Sequence, residues 1–191
     1  MNRIDLLKKN YQRICEFSWD RNVSGAQRVW LAVYDKEDER KLRLRLGLFE
    51  EATHHTGRKW FAIDLTDVFP TWMCGPENAS FAESYFEAPE LLDDAVLAEL
   101  KRRVATQIQA ALAGLPDPDN TVLAIHGVAS LFGFLKISEI LPMVESDIKG
   151  RLLVLFPGTY ENNNYRVLDA RDGWNYHAVP ITASDTEARP S

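Results

Sequence analysis

The chain has 191 residues, of which 46% are hydrophobic and 26% charged, a globular composition that excludes a disordered or fibrous protein. A chain of this length buries about 70% of its unfolded surface, enough for a core without disulfides or metals. The formal net charge of −6 argues against a protein that coats nucleic acid or an anionic membrane by charge alone.

The two cysteines, Cys15 and Cys74, are far apart and have no Cys-x-x-Cys or Cys/His spacing. The sequence therefore encodes neither a disulfide framework nor a zinc site, and we expect no bound metal or other cofactor. The first residues carry scattered charges, and no apolar run approaches the ~20 residues of a membrane span. These features predict a cytoplasmic protein with no membrane association.

Hydrophobic periodicity in the first third of the chain predicts alternating helices and strands. Apolar residues from Ile4 to Ile14 recur at three- and four-residue steps, which is typical of an amphipathic helix. The continuous apolar run Val29–Tyr34 predicts a strand covered on both faces, and Trp60–Ile63 predicts a second strand. Residues 36–56 fit both an alternating strand and a helical stripe, but the unbroken length before Gly57 favours the helix.

The middle of the chain starts with a segment that has no single period. Residues 66–89 are predicted to be an irregular insertion with short helices. Apolar residues at every fourth position from Leu92 to Leu112 then predict a long helix that packs along the sheet. Thr121–His126 is predicted to be a third buried strand. Residues from Ser130 to about Val144 predict another helix, which Pro142 bends or ends.

The C-terminal quarter is predicted to be mainly strand. Leu152–Phe156 is the most apolar segment and predicts a fourth buried strand, while residues 165–168 and 176–181 have the pattern of two more. Their spacing suits an antiparallel hairpin, with Pro180 placing the last strand at an edge of the sheet. Residues 182–191 form a polar tail that we expect to be flexible.

The alternation of strands and helices through residue 156 predicts an α/β fold. We expect a three-layer sandwich in which helices cover both faces of a mainly parallel, mixed sheet, because parallel neighbours need crossover helices. One domain is expected over residues 1–181, with an antiparallel hairpin at its C-terminal end. This architecture is Rossmann-like or P-loop-like, but without a functional phosphate loop. The nearest stretch, Gly127 to Phe134, lacks the lysine and the hydroxyl that bind phosphate and magnesium.

Three ionisable residues follow predicted strands. Ligands bind beyond the carboxyl ends of the strands in an open α/β sheet. There the sequence places Asp35, Asp64 and His126, a set that would suit a metal-dependent hydrolase or nuclease. Strand-ending aspartates also commonly cap the next turn, and a histidine after a buried strand is usually hydrogen-bonded in the core. Because no catalytic motif is present in the sequence, no catalytic residue is assigned and a non-enzymatic protein is expected.

The most unusual stretch lies between residues 157 and 173, where three asparagines follow a strand and an arginine lies between two aspartates. Asparagine offers both donors and acceptors, and such an arginine is held by charge-assisted bonds. The pattern has two interpretations, which are local turn chemistry and a surface that recognises a partner. The candidate partner-binding residues are Gly158, Tyr160, Glu161, Asn162, Asn163, Asn164, Asp169, Arg171 and Asp172.

The same stretch carries a resemblance to a known family. The segments LLVLFPGTYENNNYRVLDARDGWNYHAVPI, from Leu152 to Ile181, and IHGVASLFGFLKISEILP, from Ile125 to Pro142, resemble the BrxB family of bacterial BREX phage-defence systems. The segments RVWLAVYDKEDE and WFAIDLTDVF are similar too. The resemblance therefore covers nearly the whole chain, with order and spacing preserved.

The resemblance implies a cytoplasmic accessory protein encoded beside a DNA methyltransferase, a large ATPase and the phosphatase-like protein PglZ, in a system that modifies host DNA and restricts phage. The family has no agreed catalytic residues, so none is transferred to this sequence. The implied role is an adaptor or assembly subunit that contacts PglZ, and the other two components are further possible partners. Strong direct DNA binding is not expected, because the formal net charge is −6. A DNA-binding module would require a localised basic face such as Arg40, Lys41, Arg43 and Arg45.

Overall fold

A mainly parallel, six-stranded sheet lies between two layers of helices in this computed structural model, which describes residues 2–168, 170 and 173–184. The α-helices are α1 (Arg3–Glu16), α2 (Glu39–Leu44), α3 (Leu46–His55), α4 (Val68–Met73), α5 (Ala79–Glu87), α6 (Asp94–Ala113) and α7 (Ile137–Val144). The strands are β1 (Val29–Tyr34), β2 (Lys59–Asp64), β3 (Thr121–His126), β4 (Arg151–Glu161), β5 (Asn164–Val167) and β6 (Val179–Ile181). Short 3₁₀ segments lie at Ala26–Arg28, Lys36–Asp38, Pro89–Leu91, Pro118–Asn120, Val128–Leu131 and Glu145–Asp147.

The strand order is β2-β3-β4-β1-β6, and every neighbouring pair along this path is parallel. β5 lies off the path and pairs antiparallel with the second half of β4. The predicted α/β class with a mainly parallel sheet between helices is therefore confirmed. The helices between successive parallel strands supply the crossovers that parallel pairing requires.

The two faces of the sheet bury separate cores. Leu123 and Val154 belong to the core that α6 and α7 cover. Their neighbours in sequence, Ala124 and Leu155, belong to the core that α1 and α3 cover. Because successive side chains point to opposite faces, a strand covered on both sides is one continuous apolar run. Val29–Tyr34 is accordingly buried at all six positions.

The helices mostly follow the sequence prediction. The predicted helix over residues 36–56 is present as α2 and α3, which meet at Arg45, and the chain leaves α3 through Gly57 with φ +74. α4 and α5 confirm the short helices expected between residues 66 and 89. The helix predicted from Ser130 is wrong in its first half, because Gly133 has φ +88 and breaks the chain direction before α7 begins.

The predicted pairing of the last strands is also wrong, although an antiparallel hairpin is present. β4 continues past Phe156 to Glu161, and a two-residue turn at Asn162 and Asn163 leads back into β5. These asparagines have φ of 51° and 61°, and positive φ at both central residues is what the hairpin turn that matches strand twist requires. β6 instead pairs parallel with β1, which places Pro180 at the edge of the sheet as expected.

The chain end returns to the first helix. Asn10 in α1 donates from Nδ2 to the carbonyl oxygens of Thr182 and Ser184, at 2.7 and 3.2 Å. The first residues of the predicted tail are therefore bound to α1. Residues 185–191, which were expected to be flexible, lie outside the described residues.

Candidate functional site

β2 and β3 place an aspartate and a histidine side by side at the carboxyl edge of the sheet. Asp64 and His126 occupy the same register position on these adjacent parallel strands. Oδ1 of Asp64 lies 3.5 Å from Nδ1 of His126, which is longer than an ordinary hydrogen bond. The buried Nδ1 of His126 consequently has no hydrogen-bond partner among the described residues.

The electrostatics of this pair favour a carboxylate beside a neutral imidazole. Burial lowers the pKa of His126 below its ordinary value and outweighs the attraction of the Asp64 carboxylate. Partial burial acts to raise the pKa of Asp64, but hydrogen bonds from the hydroxyl and N–H of Thr66 outweigh it, and that pKa is lowered. The imidazole is therefore able to accept a proton at neutral pH.

A chain of hydrogen bonds runs from Asp64 across the carboxyl edge. The Thr66 hydroxyl donates to Asp64 Oδ1 at 2.5 Å and accepts from Nη2 of Arg43 at 3.0 Å. Nε of Arg43 donates to Glu39 at 2.7 Å, and the Tyr34 hydroxyl donates to the same carboxylate. These contacts join the ends of β1 and β2 to α2, so each of these five side chains has a structural partner.

Asp35, the third predicted crevice residue, is not part of this chain of bonds. Its side chain accepts from the N–H of Glu37 at 3.0 Å and pairs with Arg3 at 3.2 Å. β3 and β4 separate β1 from β2, a distance of about 14 Å at the usual strand spacing. The structure thus brings Asp64 and His126 together without Asp35. Within the described ranges, no group of three or more histidine, cysteine, aspartate or glutamate residues could hold a metal ion.

The turn after β3 packs against Asp64. Gly127 has φ +78, and a Cβ at this position would lie 2.6 Å from the Thr66 nitrogen and 2.7 Å from Asp64 Oδ1. The glycine is therefore required by both backbone conformation and close approach. The next residues form the 3₁₀ segment Val128–Leu131 rather than the helix start that a phosphate loop provides.

Five of the candidate partner-binding residues, Tyr160 to Asn164, form the tip of the β4–β5 hairpin. Glu161 and the three asparagines after it are exposed, and the Tyr160 hydroxyl donates to Asn163 Oδ1 at 3.0 Å. Gly158 has a packing role, because a Cβ there would lie 1.9 Å from the Arg166 carbonyl oxygen. The other three candidates, Asp169, Arg171 and Asp172, lie outside the described residues.

A cavity of about 390 Å³ opens between this hairpin and the segment that follows β3. Tyr165, Val167 and Trp174 form one wall, and residues from Val128 to Ser138 form the other. Mostly apolar pockets of about this size commonly bind ligands. Sequence reasoning missed the cavity, because its walls are distant in the chain and their apolar residues have the pattern of ordinary core segments.

The four basic residues that a DNA-binding face would require are mostly paired with carboxylates. Three of the four form ion pairs, namely Lys41 with Asp38, Arg43 with Glu39 and Arg45 with Asp5. These pairs lower the net positive charge that a surface needs to bind a DNA backbone.

The fold and the site define an α/β protein with a carboxylate–imidazole pair at one edge and an apolar cavity beside its hairpin. No family model matches the chain, and neither a curated protein nor a solved structure is significantly similar to it. None of the helices in the described part of the chain combines the length and the hydrophobicity needed to cross a membrane.

Proposed function

We propose that the protein is a non-enzymatic adaptor or assembly subunit of a BREX anti-phage defence complex, in the cytoplasm. In this role it contacts the phosphatase-like PglZ and supports host DNA modification and phage restriction. The observation that carries the proposal is the cavity. The two segments on which the BrxB resemblance depends, Ile125–Pro142 and Leu152–Ile181, supply its opposite walls.

The surface around the cavity has the features of a protein interface. Phe132 lines the cavity and is 47% exposed, and the asparagines at the tip of the hairpin that forms one wall are also exposed. Protein interfaces combine an apolar centre with a polar rim, and a few aromatic anchors in pockets supply most of the binding energy. An exposed aromatic side chain at the mouth of a cavity therefore supports a binding role for this face.

An enzymatic role has less support from the geometry. The contact between Asp64 and His126 favours a hydrolase or nuclease, because a neutral imidazole beside a carboxylate can act as a general base. Asp35, however, is bound to Arg3 and lies about three strand spacings from Asp64. Metal-dependent turnover of a nucleotide or DNA substrate that is lost in Asp64→Ala would replace the adaptor proposal with this one.

Co-purification with PglZ tests the proposal. The purified chain and PglZ from the same defence system are mixed at micromolar concentrations and separated by size exclusion. A complex that elutes ahead of both components supports the adaptor role, and separate elution contradicts it. In cells, deletion of the chain is expected to abolish phage restriction, and the Asp64→Ala variant is expected to restore it.

A further inference from the structure

We infer that the cavity binds an extended segment of the partner protein that presents an aromatic or large aliphatic side chain next to a carboxylate. The inference rests on the proposed function, because it specifies the chemistry of the partner at the same site. Three properties of the cavity carry it, which are its size, its rigid apolar walls and the positive charge at its mouth.

The size of the cavity suits one large side chain. Its volume of about 390 Å³ lies near the lower end of the range for pockets that bind ligands. It accommodates one large side chain together with part of a neighbouring residue, as an extended segment would present them.

The apolar walls are held in place by stacked rings. Phe134 lies against Phe69 with ring centroids 4.0 Å apart and planes 12° from parallel. On the opposite wall, Trp174 stacks on Tyr176 at 4.9 Å and contacts the Tyr165 ring at 5.5 Å. A cavity whose walls are fixed before binding loses little conformational entropy when a side chain enters. Its apolar lining also includes Val128, Leu131, Leu135 and Val167.

The mouth of the cavity carries a positive charge that has no partner in the described part of the chain. Lys136 lines the cavity, and its ammonium group forms no ion pair or hydrogen bond with any described residue. The nearby carboxylate of Glu139 is already bound to Lys101 at 2.7 Å. The ammonium group of Lys136 is therefore available to pair with an anionic group of the partner.

The start of α7 reinforces this charge. Lys136 is the N-cap of α7 and provides no side-chain cap. The backbone N–H groups of Ile137 and Ser138, both at the cavity, have no acceptor among the described residues. Unsatisfied N–H groups in the first turn of a helix attract carboxylates. An apolar side chain that carries a carboxylate beside it thus complements both parts of the cavity.

Two pairs of matched variants test the inference with PglZ. Lys136→Glu reverses the charge at the mouth, and Lys149→Glu makes the same change at an exposed lysine before β4, at the other end of the sheet. Phe132→Ser removes the exposed ring at the cavity, and Phe86→Ser removes an exposed ring outside it. We expect the two cavity variants to weaken PglZ binding about tenfold or more and the two controls to leave it unchanged.

A small probe tests the cavity without PglZ. The chain labelled with ¹⁵N is titrated with 3-phenylpropionate and with its neutral amide, 3-phenylpropionamide. We expect saturable shifts of the Trp174 indole and of the Ile137 amide signals with the acid, and binding about tenfold weaker with the amide or in Lys136→Glu. Equal binding of the acid and the amide, or no saturation by either, overturns the inference.

The outcomes separate the inference from the proposed function. If PglZ binds the wild type and all four variants equally, the adaptor role stands and the cavity inference fails. If PglZ does not bind the wild type while the acid binds with the expected selectivity, the adaptor role fails and the ligand chemistry of the cavity is supported. All four substituted side chains are exposed, so thermal unfolding of each variant is expected to match the wild type and verifies that the fold is intact.

Discussion

Tyr165 and Trp174 pair through their backbones, each N–H donating to the other's carbonyl oxygen at 2.8 Å. This bridge adds a third segment beside β5 and completes one wall of the cavity. The Tyr165 hydroxyl also donates to the carbonyl oxygen of Ala178 at 2.9 Å, just before β6 begins. One fully buried tyrosine therefore joins the hairpin, the cavity wall and the edge strand.

The Tyr165→Phe variant is expected to lower the free energy of unfolding by about 1–3 kcal/mol. The change leaves the buried carbonyl of Ala178 without its donor, and an unsatisfied buried acceptor costs its full desolvation. Tyr160→Phe is the control, because the Tyr160 hydroxyl bonds to Asn163 at the exposed hairpin tip. This variant should lower the free energy of unfolding by less than about 0.5 kcal/mol. Urea unfolding measures both values, and equal losses would show that the Ala178 contact contributes nothing.

Gly127→Ala should lower the free energy of unfolding more than Gly57→Ala does, although both glycines have positive φ. The Cβ added in Gly57→Ala would have no atom within 4 Å. Only the strain of the left-handed backbone should lower the free energy of unfolding, by about 1–2 kcal/mol. In Gly127→Ala the added Cβ would also clash with the Thr66 nitrogen at 2.6 Å. We expect this clash to lower the free energy of unfolding by about 1–3 kcal/mol more. Thermal unfolding distinguishes them, and similar melting temperatures would contradict the close approach of the turn to Thr66.

The pH dependence of stability should include a contribution from His126. Because burial lowers its pKa in the folded state below 6.5, the unfolded chain binds more protons than the folded chain as the pH falls below that value. The free energy of unfolding therefore decreases on acidification from about pH 7 to pH 5 and gains nothing further above this range. The lowered pKa of Asp64 also makes the protein less stable on acidification, but only near and below pH 3.8, the ordinary pKa of an aspartate.

Urea unfolding at both pH values checks this prediction. His126→Gln is expected to flatten the dependence, because the group that gains a proton on unfolding is gone. His177→Gln, at an exposed position, is the matched control and is expected to keep the wild-type slope. A wild-type slope in His126→Gln would contradict a buried neutral imidazole at the carboxyl edge.

Two substitutions of Asn163 distinguish a residue that only forms the hairpin turn from one that also contacts the partner. Asn163→Gly places a residue suited to φ of 61° and is expected to leave the free energy of unfolding unchanged. Asn163→Val is expected to lower it by about 1–2 kcal/mol, because a β-branched residue is disfavoured at positive φ. Circular dichroism during urea unfolding measures both. If Asn163→Gly folds normally but binds PglZ about tenfold more weakly, the side chain is a contact as well as a turn residue.

The sequence predicts the sheet well because its central strands are covered on both faces. Val29–Tyr34 and residues 122–125 are continuous apolar runs, and the structure places both inside the sheet. The length of β4 was not predictable in the same way, because Pro157 and Gly158 have the composition of a turn. Only pairing with β5, which depends on the positions of other elements, makes them part of a strand.

The same reasoning explains what could be predicted of the site. Asp64 and His126 end consecutive parallel strands, so their contact follows once β2 and β3 are neighbours. Asp35 also ends a parallel strand, but β1 lies beyond β4 in the sheet, and that order is set by tertiary packing rather than by local pattern. The cavity depends on the same long-range arrangement, since Phe132 and Trp174 meet around it only in the folded chain.

β6 contributes only three residues to the outer edge of the sheet, and the middle one, Pro180, has no N–H. A foreign strand that approached this side would meet a ladder too short and too poor in donors to continue the hydrogen-bond pattern. The sheet therefore terminates at β6. This margin therefore disfavours the edge-to-edge addition of copies by which fibrils grow.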